Sequence, residues 1–240
     1  MQRVVLITGG TSGIGLALAE AFLSEGSAVA VCGRSQTALD RFALTHPDAL
    51  AIRADVTRAE HRAAMLQAVA DRFGRLDVLV NNAGTFVARD FTAGEDSEIQ
   101  TLEEEVALNL TAPLLLTGET LRRWRGLDAI VFVTSGLAFV SPARAPSYGA
   151  VKAGLHGFAE GLRRQLAPHG THVLELAPPT TATPMTAGQS GKMLTPAEVA
   201  AVTLKALRNR KRVALPGTAK WLPTLLRIAP NAVGNAVSRL

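Results

Sequence analysis

Short apolar runs alternate with amphipathic stretches along the whole chain. Seven runs of four to six residues, rich in apolar side chains, predict buried strands at residues 4–8, 28–32, 49–53, 77–80, 129–134, 172–176 and 212–215. Helical periodicity between them predicts six helices, at residues 14–25, 36–44, 58–73, 99–124, 147–166 and 196–208. Nearly continuous apolar strands separated by helices are typical of a parallel sheet covered on both faces. We therefore expect an α/β, doubly wound parallel seven-stranded sheet.

Composition narrows the class of protein. With 240 residues, 48% of them hydrophobic, the chain can bury one substantial core, and no linker is evident. The single Cys32 excludes an internal disulfide, and the five histidines show no metal-ligand spacing, so we expect no metal. The net charge of +5 comes from scattered helix ends, and aromatic residues are only 5%, so we expect no nucleic-acid partner. Without a signal peptide or a long apolar run, a cytoplasmic location is expected.

A glycine-rich turn follows the first predicted strand and opens the first predicted helix. The segment runs Thr8-Gly9-Gly10-Thr11-Ser12-Gly13-Ile14-Gly15. Glycines permit a tight turn and a close backbone approach, while the amide groups at a helix N-terminus favour a phosphate group. Such turns also occur as plain connectors, but the strand–turn–helix context favours a dinucleotide site.

The end of the second strand predicts which dinucleotide is bound. NAD-binding folds usually carry an acidic residue about 20 positions after the glycines, bonded to the ribose 2′-hydroxyl. Here the sequence is Cys32-Gly33-Arg34-Ser35, so the acid is missing and an arginine stands beside its place. A guanidinium binds a phosphate dianion bidentately. NADP(H) is therefore expected over NAD(H), although Arg34 is also compatible with an ordinary surface arginine.

Tyr148 and Lys152 stand four residues apart, on one face of the predicted helix 147–166, and Ser135 ends the predicted strand thirteen residues before the tyrosine. A charge about 4 Å from a phenol favours phenolate by roughly 4 kcal/mol, or about three pKa units. We therefore expect Lys152 to bring the pKa of Tyr148 toward neutrality, where general acid–base catalysis works best. A chance pair on a solvated helix face is the alternative, which the glycine turn disfavours.

In this order the motifs resemble those of the short-chain dehydrogenase/reductase family in its compact single-domain form, over residues 4–212. The glycine pattern matches, Asn-Asn-Ala-Gly stands at residues 81–84, and Asn109 holds the place of the family's helix asparagine. The resemblance implies a Rossmann fold, a nicotinamide cofactor and a small-molecule carbonyl or alcohol substrate. It assigns catalysis to Asn109, Ser135, Tyr148 and Lys152.

The resemblance also assigns the binding residues. Those expected at the cofactor are Gly9, Thr11, Ser12, Gly13, Ile14, Gly15, Arg34, Ser35, Asp55, Val56, Asn82, Ala83, Gly84, Tyr148, Lys152, Pro178, Thr181 and Thr183. Those expected at the substrate are Phe86, Leu137, Phe139, Ala145 and Met185. Pro179 departs from the family pattern, which has glycine there. Because proline fixes φ near −65°, it stiffens the start of the substrate loop.

The sequence thus predicts an NADPH-dependent oxidoreductase that reduces a hydrophobic ketone or aldehyde to an alcohol. A non-catalytic NADP(H)-binding regulator or scaffold on the same fold is the alternative. A sugar-nucleotide epimerase would need a C-terminal substrate domain, and only 57 residues follow Thr183. A single domain is expected over residues 1–240, with 1–130 mainly cofactor-binding, 131–217 catalytic and substrate-binding, and 218–240 an amphipathic tail.

The tail carries an apolar helical stripe that Pro230 interrupts. Its members are Leu222, Leu225, Leu226, Ala229, Val233 and Val237. We expect a broken helix buried against the body of the protein or a second subunit, and hence a homodimer or homotetramer. Membrane-surface binding is the weaker alternative, because few basic residues accompany the stripe.

Overall fold

Seven parallel strands form one sheet at the centre of a computed structural model, which describes residues 2–92, 97–188, 190–191 and 193–237. The strands are β1 (Val4–Thr8), β2 (Ala28–Gly33), β3 (Leu50–Arg53), β4 (Val78–Asn81), β5 (Ala129–Val133), β6 (His172–Leu176) and β7 (Val213–Ala214). Their spatial order is β3-β2-β1-β4-β5-β6-β7. The order reverses between β1 and β4, where doubly wound sheets bind their ligands at the carboxyl ends of the strands.

Helices cover both faces of this sheet. They are α1 (Gly13–Ser24), α2 (Gln36–Thr45), α3 (Ala59–Phe73), α4 (Ser97–Val106), α5 (Ala112–Arg123), α6 (Pro146–Leu166), α7 (Pro196–Arg208), α8 (Leu222–Ile228) and α9 (Pro230–Val237). Side chains of α1, α2 and α7 pack on one face of the sheet, and those of α3, α5 and α6 pack on the other. Because successive strand residues point to opposite faces, strands buried on both sides are apolar throughout. The doubly wound fold predicted from the pattern is confirmed.

The predicted helix at 99–124 differs from the observed one. It is interrupted by a turn of π-helix, Ala107–Thr111, in which the amide of Ala112 donates to the carbonyl of Ala107. The side-chain period of a continuous α-helix gives no sign of such a bulge, although π-turns are frequent at functional sites. Asn109 lies in the middle of this turn.

The tail is a broken helix, as predicted: α8 ends before Ala229 and α9 begins at Pro230. Residues 238–240 lie outside the described residues. Burial against the body of the protein is only partial, since Trp221, Leu225 and Ile228 are 59%, 48% and 76% exposed. Leu222 lies over Gly136, where an added Cβ would be 3.6 Å from the Leu222 Cδ2 atom. Within the described residues, no helix combines the length and apolarity that crossing a membrane requires.

Candidate active site

The glycine turn between β1 and α1 has the backbone that its sequence predicts. Gly9 and Gly13 have φ values of +64° and +52°, in the left-handed region where a side chain is strained. A Cβ on Gly15 would lie 2.2 Å from the carbonyl oxygen of Gly9. The Ser12 side chain makes no capping hydrogen bond to α1 within the described chain. The first amide groups of the helix are therefore available to a phosphate group.

Asn82, which follows β4, holds this turn in place. Its side-chain amide donates to the carbonyl oxygens of Thr8 at 2.9 Å and of Gly9 at 3.2 Å. The hydroxyl of Thr8 in turn accepts from the main-chain amides of Asn82 and Ala83, at 2.9 and 3.0 Å. These bonds join β1 to β4 where the strand order reverses, so the two motifs predicted separately form one site.

Arg34 and Asp55 lie together at the ends of β2 and β3. Burial favours protonation of Asp55, but hydrogen bonds from Thr57 and the charge of Arg34 outweigh it and lower the pKa of the carboxyl group. Arg34 is exposed, so its guanidinium can meet a ligand. The hydroxyl of Ser35 accepts from the amide of Ala38 as the cap of α2, so it is already committed within the protein.

The catalytic residues predicted on one helix face are brought together in α6. Tyr148 is 9% exposed and Lys152 is 4% exposed. The Nζ atom of Lys152 lies 5.7 Å from the centre of the Tyr148 ring and donates to the carbonyl oxygen of Val133 at 3.1 Å. Ser135, two residues beyond that carbonyl, accepts from the amide of Leu137 at 3.1 Å. The end of β5 and the start of α6 are therefore joined at this point.

The protonation states differ from the sequence-based expectation. Burial raises the pKa of Tyr148 to about 12, Ser135 opposes the rise through a side-chain hydrogen bond, and the charge of Glu105 adds to it. Burial also lowers the pKa of Lys152 to about 8, against the charge of Glu105. The expectation that Lys152 brings the phenol toward neutrality is thus wrong for the chain by itself, because burial disfavours phenolate. Tyr148 holds its proton at neutral pH.

Asn109 is fully buried and tied to the loop after β4. Its side-chain oxygen accepts from the amide of Thr85 at 3.1 Å, and its side-chain amide donates to the carbonyl of the same residue at 3.0 Å. A Cβ on Gly84 would lie 2.6 Å from the Asn109 Oδ1 atom and 3.4 Å from the Lys152 Nζ atom. The side chains of Asn109 and Lys152 therefore meet at Gly84.

The loop after β6 returns to the glycine turn. A Cβ on Gly13 would lie 3.1 Å from the Cγ2 atom of Thr183. The hydroxyl of Thr181 donates to the carbonyl of Pro179 at 2.9 Å. Pro178 accepts from the amide of Gly136 at 3.0 Å, next to Ser135. This loop therefore lies over both the glycine turn and the end of β5.

The residues predicted at the substrate divide into three groups. The ring of Phe86 lies edge-on to that of Tyr148, with centroids 5.0 Å apart, and Phe139 lies 4.9 Å from the ring of His156. Met185 is 48% exposed, and Leu137 is partly buried in the turn after Ser135. Ala145, the residue before α6, is fully buried and offers no surface to a ligand. Its assignment to the substrate site is therefore wrong.

These residues fit a nicotinamide dinucleotide. Gly9 and Gly13 adopt the left-handed backbone of the turn, and a Cβ on Gly15 would collide with the backbone of Gly9. The Ser12 side chain leaves the start of α1 uncapped, and Thr183 lies across the turn. When bound, such a cofactor supplies the hydride that no side chain can supply. The chain's own residues would hold its phosphates and orient its nicotinamide ring.

Sequence reasoning missed a buried polar cluster beside the catalytic helix. Glu105 and Arg89 form an ion pair at 3.4 Å, with side chains 0% and 1% exposed. The hydroxyl of Ser147 donates to the same carboxylate oxygen of Glu105 at 2.6 Å. The available signal was that Glu105 precedes Asn109 by four residues, which places both on one helix face.

Comparisons with known proteins identify the family of this chain. A family model described as short chain dehydrogenase matches residues 3–193. The uncharacterized oxidoreductase DltE of Bacillus subtilis (strain 168) is 40% identical over 182 residues, 74% of this chain and 71% of the relative. A solved 3-ketoacyl-(acyl-carrier-protein) reductase from Brucella melitensis, complexed with NADH, has a TM-score of 0.81 at 25% identity, with 89% and 94% of the two chains covered.

A short-chain dehydrogenase from Sphingobium yanoikuyae, solved in complex with NADPH, is also similar. Its TM-score is 0.81 at 28% identity, and the match covers 97% of this chain and 95% of that one. The family model alone spans more than half of the chain, and it includes the glycine turn, Ser135, Tyr148 and Lys152. The chain belongs to the short-chain dehydrogenase/reductase family of NAD(P)-dependent oxidoreductases.

Proposed function

We propose that this protein is an NADPH-dependent reductase that converts a hydrophobic ketone or aldehyde into an alcohol, with Tyr148 as the general acid. The observation that carries the proposal is a buried phenol beside Ser135 and Lys152, at the carboxyl ends of the central strands. A reduced carbonyl oxygen must receive a proton, and a phenol whose pKa is raised to about 12 holds one to give.

Each polar side chain has a role in this reaction. Ser135 hydrogen-bonds the carbonyl oxygen and orients it toward Tyr148, which donates its proton as the alcohol forms. Lys152 keeps a positive charge near the phenolate that remains, since its pKa of about 8 leaves it protonated at neutral pH. Asn109 holds the loop carrying Thr85 through two hydrogen bonds and so shapes the wall around Lys152.

Arg34 supports a preference for NADPH over NADH. Arg34 stands next to the position at which an acidic residue would meet a ribose 2′-hydroxyl in an NAD-binding site, and its guanidinium is exposed. Its charge reaches Asp55, another residue that the family resemblance assigns to the cofactor. A 2′-phosphate would accept charge-assisted hydrogen bonds from Arg34, whereas a neutral hydroxyl would form weaker ones.

An apolar substrate is supported by the side chains around the phenol. Phe86 packs against the Tyr148 ring, and Phe139 and Met185 follow Ser135 and Thr183 in their loops. Pockets lined by apolar and aromatic groups favour substrates with matching surfaces, while a few polar groups orient the reacting atom. A hydrophobic or aromatic carbonyl compound fits this lining better than a phosphorylated sugar.

The test is NADPH oxidation by the purified protein against a panel of ketones, aldehydes and quinones. We expect turnover on apolar members of the panel, and a rate lower by at least about a hundredfold with Tyr148→Phe prepared in parallel. Binding of NADPH with no turnover on any member would contradict the proposal and favour the alternative of a cofactor-binding regulator.

A further inference from the structure

The carboxylate of Glu105 is buried where three segments of the chain meet. Glu105 stands in the last turn of α4, four residues before Asn109, and is 0% exposed. One of its oxygens accepts from the hydroxyl of Ser147 at 2.6 Å and pairs with Arg89 at 3.4 Å. Arg89 also donates to the hydroxyl of Thr101 at 2.8 Å, one turn earlier in the same helix.

Two pairs of residues with equal spacing join this helix to the loop after β4. Asn109 binds Thr85 through two hydrogen bonds, and Glu105 binds Arg89 through an ion pair. Glu105 lies four residues before Asn109 in the helix, and Arg89 lies four residues after Thr85 in the loop. The loop that carries Phe86 against the Tyr148 ring is thus anchored on both sides.

Ser147 connects the same cluster to the catalytic helix. It immediately precedes Tyr148 and lies in the first turn of α6. A second bond ties the loop to this end of the helix, because the amide of Arg89 donates to the carbonyl of Arg144 at 2.8 Å. A shift of Glu105 would therefore move the backbone that carries the phenol.

The burial of the Glu105 carboxylate is not explained by packing of the core alone. Its second oxygen, Oε1, is buried and accepts no hydrogen bond from the part of the chain that the structure describes. Buried polar atoms without partners are rare, and apolar residues of similar volume often replace a buried ion pair without loss of stability. Close packing alone therefore does not explain a charged residue at position 105.

We propose that Glu105, with Arg89 as its counter-charge, is a positioning residue of the active site that holds Ser147 and thereby the Tyr148 phenol against the helix that carries Asn109. The inference rests on the proposed function, because it assigns Glu105 a role in the same proton transfer. A misplacement of about 1 Å in such a site can cost roughly a hundredfold in rate.

The electrostatics support the same arrangement. Burial lowers the pKa of Lys152 to about 8, and the negative charge of Glu105 opposes this change. Burial raises the pKa of Tyr148 to about 12, and Glu105 adds to the increase. Among the described residues, other ionisable groups near the first half of α6 include Arg89, Arg144, His156 and its partner Glu175 of β6. None of these four is a cause of either shift.

The test compares Glu105→Gln and Ser147→Ala with Glu104→Gln, a matched control at the exposed neighbouring position of α4. Glutamine keeps an acceptor for Ser147 but removes the charge, whereas Ser147→Ala keeps the charge and removes the hydrogen bond. We expect each of the two to lower kcat by roughly ten- to a hundredfold with the Kd for NADPH unchanged. The control is expected to keep the wild-type kcat.

A second readout needs no substrate. Tyr148 is the only tyrosine of the chain, so ultraviolet absorbance of tyrosinate reports its ionisation alone. Without the negative charge of Glu105 the phenol ionises more readily, so Glu105→Gln should begin to form tyrosinate at lower pH than the wild type. Ser147→Ala and Glu104→Gln should leave this onset in place, which separates the effect of charge from a general loss of structure.

The outcomes decide between the two proposals. If Glu105→Gln matches Glu104→Gln in both kcat and tyrosinate onset, the positioning role is overturned. If Glu105→Gln does not fold, the kcat of Ser147→Ala decides instead, since that change removes a single hydroxyl. A wild type that reduces no carbonyl contradicts the proposed function, and the absorbance titration then decides the role of Glu105 by itself.

Discussion

Thr183 lies directly against Gly13, so close that a Cβ on the glycine would approach the threonine Cγ2 atom to 3.1 Å. The two residues are 170 positions apart in the chain and stand on opposite halves of the sheet. Their contact brings the loop after β6 over the turn before α1. Two residues that the family resemblance assigns to the cofactor are thus in direct contact.

Tyr148→Phe removes the proton donor and little else, because the ring and its packing against Phe86 are kept. General acid–base catalysis contributes about 10²- to 10⁴-fold in rate, so kcat should fall by at least that range. The measurement is NADPH oxidation with the best substrate of the panel, with NADPH binding followed in parallel as the control. Near-wild-type turnover would show that another group is the acid.

The pH dependence of reduction should follow Lys152. Its pKa is lowered to about 8 by burial, so the ammonium loses its proton as the pH rises through that value. Tyr148, with a pKa raised to about 12, stays protonated over the same range. We therefore expect kcat to be level near neutral pH and to fall above pH 8, because an uncharged amine cannot stabilise the phenolate left by proton donation. A rate that stays level to about pH 10, near the ordinary lysine pKa, would contradict this assignment.

Arg34→Ala should weaken NADPH binding and leave NADH binding almost unchanged, since only NADPH carries the 2′-phosphate. Charge-assisted hydrogen bonds contribute about 1.5–3 kcal/mol each, so a loss of roughly 10- to 100-fold in NADPH affinity is expected. The matched control is Arg41→Ala, which changes an exposed arginine within α2. Calorimetric titration of both nucleotides into the wild type and both variants gives the answer, and a wild type that prefers NADH would reject the assignment.

Gly15→Ala and Gly161→Ala should have opposite effects on stability. A Cβ at position 15 would lie 2.2 Å from the backbone oxygen of Gly9, so the glycine turn must move, and both thermal stability and cofactor binding should fall. At position 161, inside α6, an added Cβ has no atom of the described chain within 4 Å. Alanine there should stabilise the helix by about 0.5–1 kcal/mol. Thermal unfolding of the two variants, with and without NADPH, is the measurement.

The exposed apolar side chains of the tail should be covered by a second copy of the chain. Trp221, Leu225 and Ile228 are each about half exposed or more, an arrangement that soluble proteins usually avoid over a contiguous surface. Deleting residues 221–240, or replacing Leu225 and Ile228 with serine, should change the particle mass measured by light scattering or cause aggregation. An unchanged mass and stability would contradict association through the tail, and flotation with anionic liposomes would favour the membrane alternative.

Much of the fold follows from local pattern. The strands Val4–Thr8 and His172–Leu176 and the helix Pro196–Arg208 have the predicted bounds, because apolar runs and capping residues are properties of neighbouring positions. The start of α7 shows this most clearly, where Thr195 and Glu198 form the reciprocal cap that their spacing predicts. The left-handed glycines of the turn were likewise predictable, since few other residues adopt that backbone.

The sequence by itself determined the doubly wound architecture and the glycine turn, because periodicity and motif spacing encode them locally, and its resemblance to a family supplied the four catalytic candidates. Only the tertiary structure decided the protonation of Tyr148, the π-turn at Asn109, the burial of Ala145 and the cluster around Glu105. Each of these depends on which distant segments surround a side chain. Burial and charge act through space, and residues such as Arg89, Glu105 and Ser147 become neighbours only when the chain has folded.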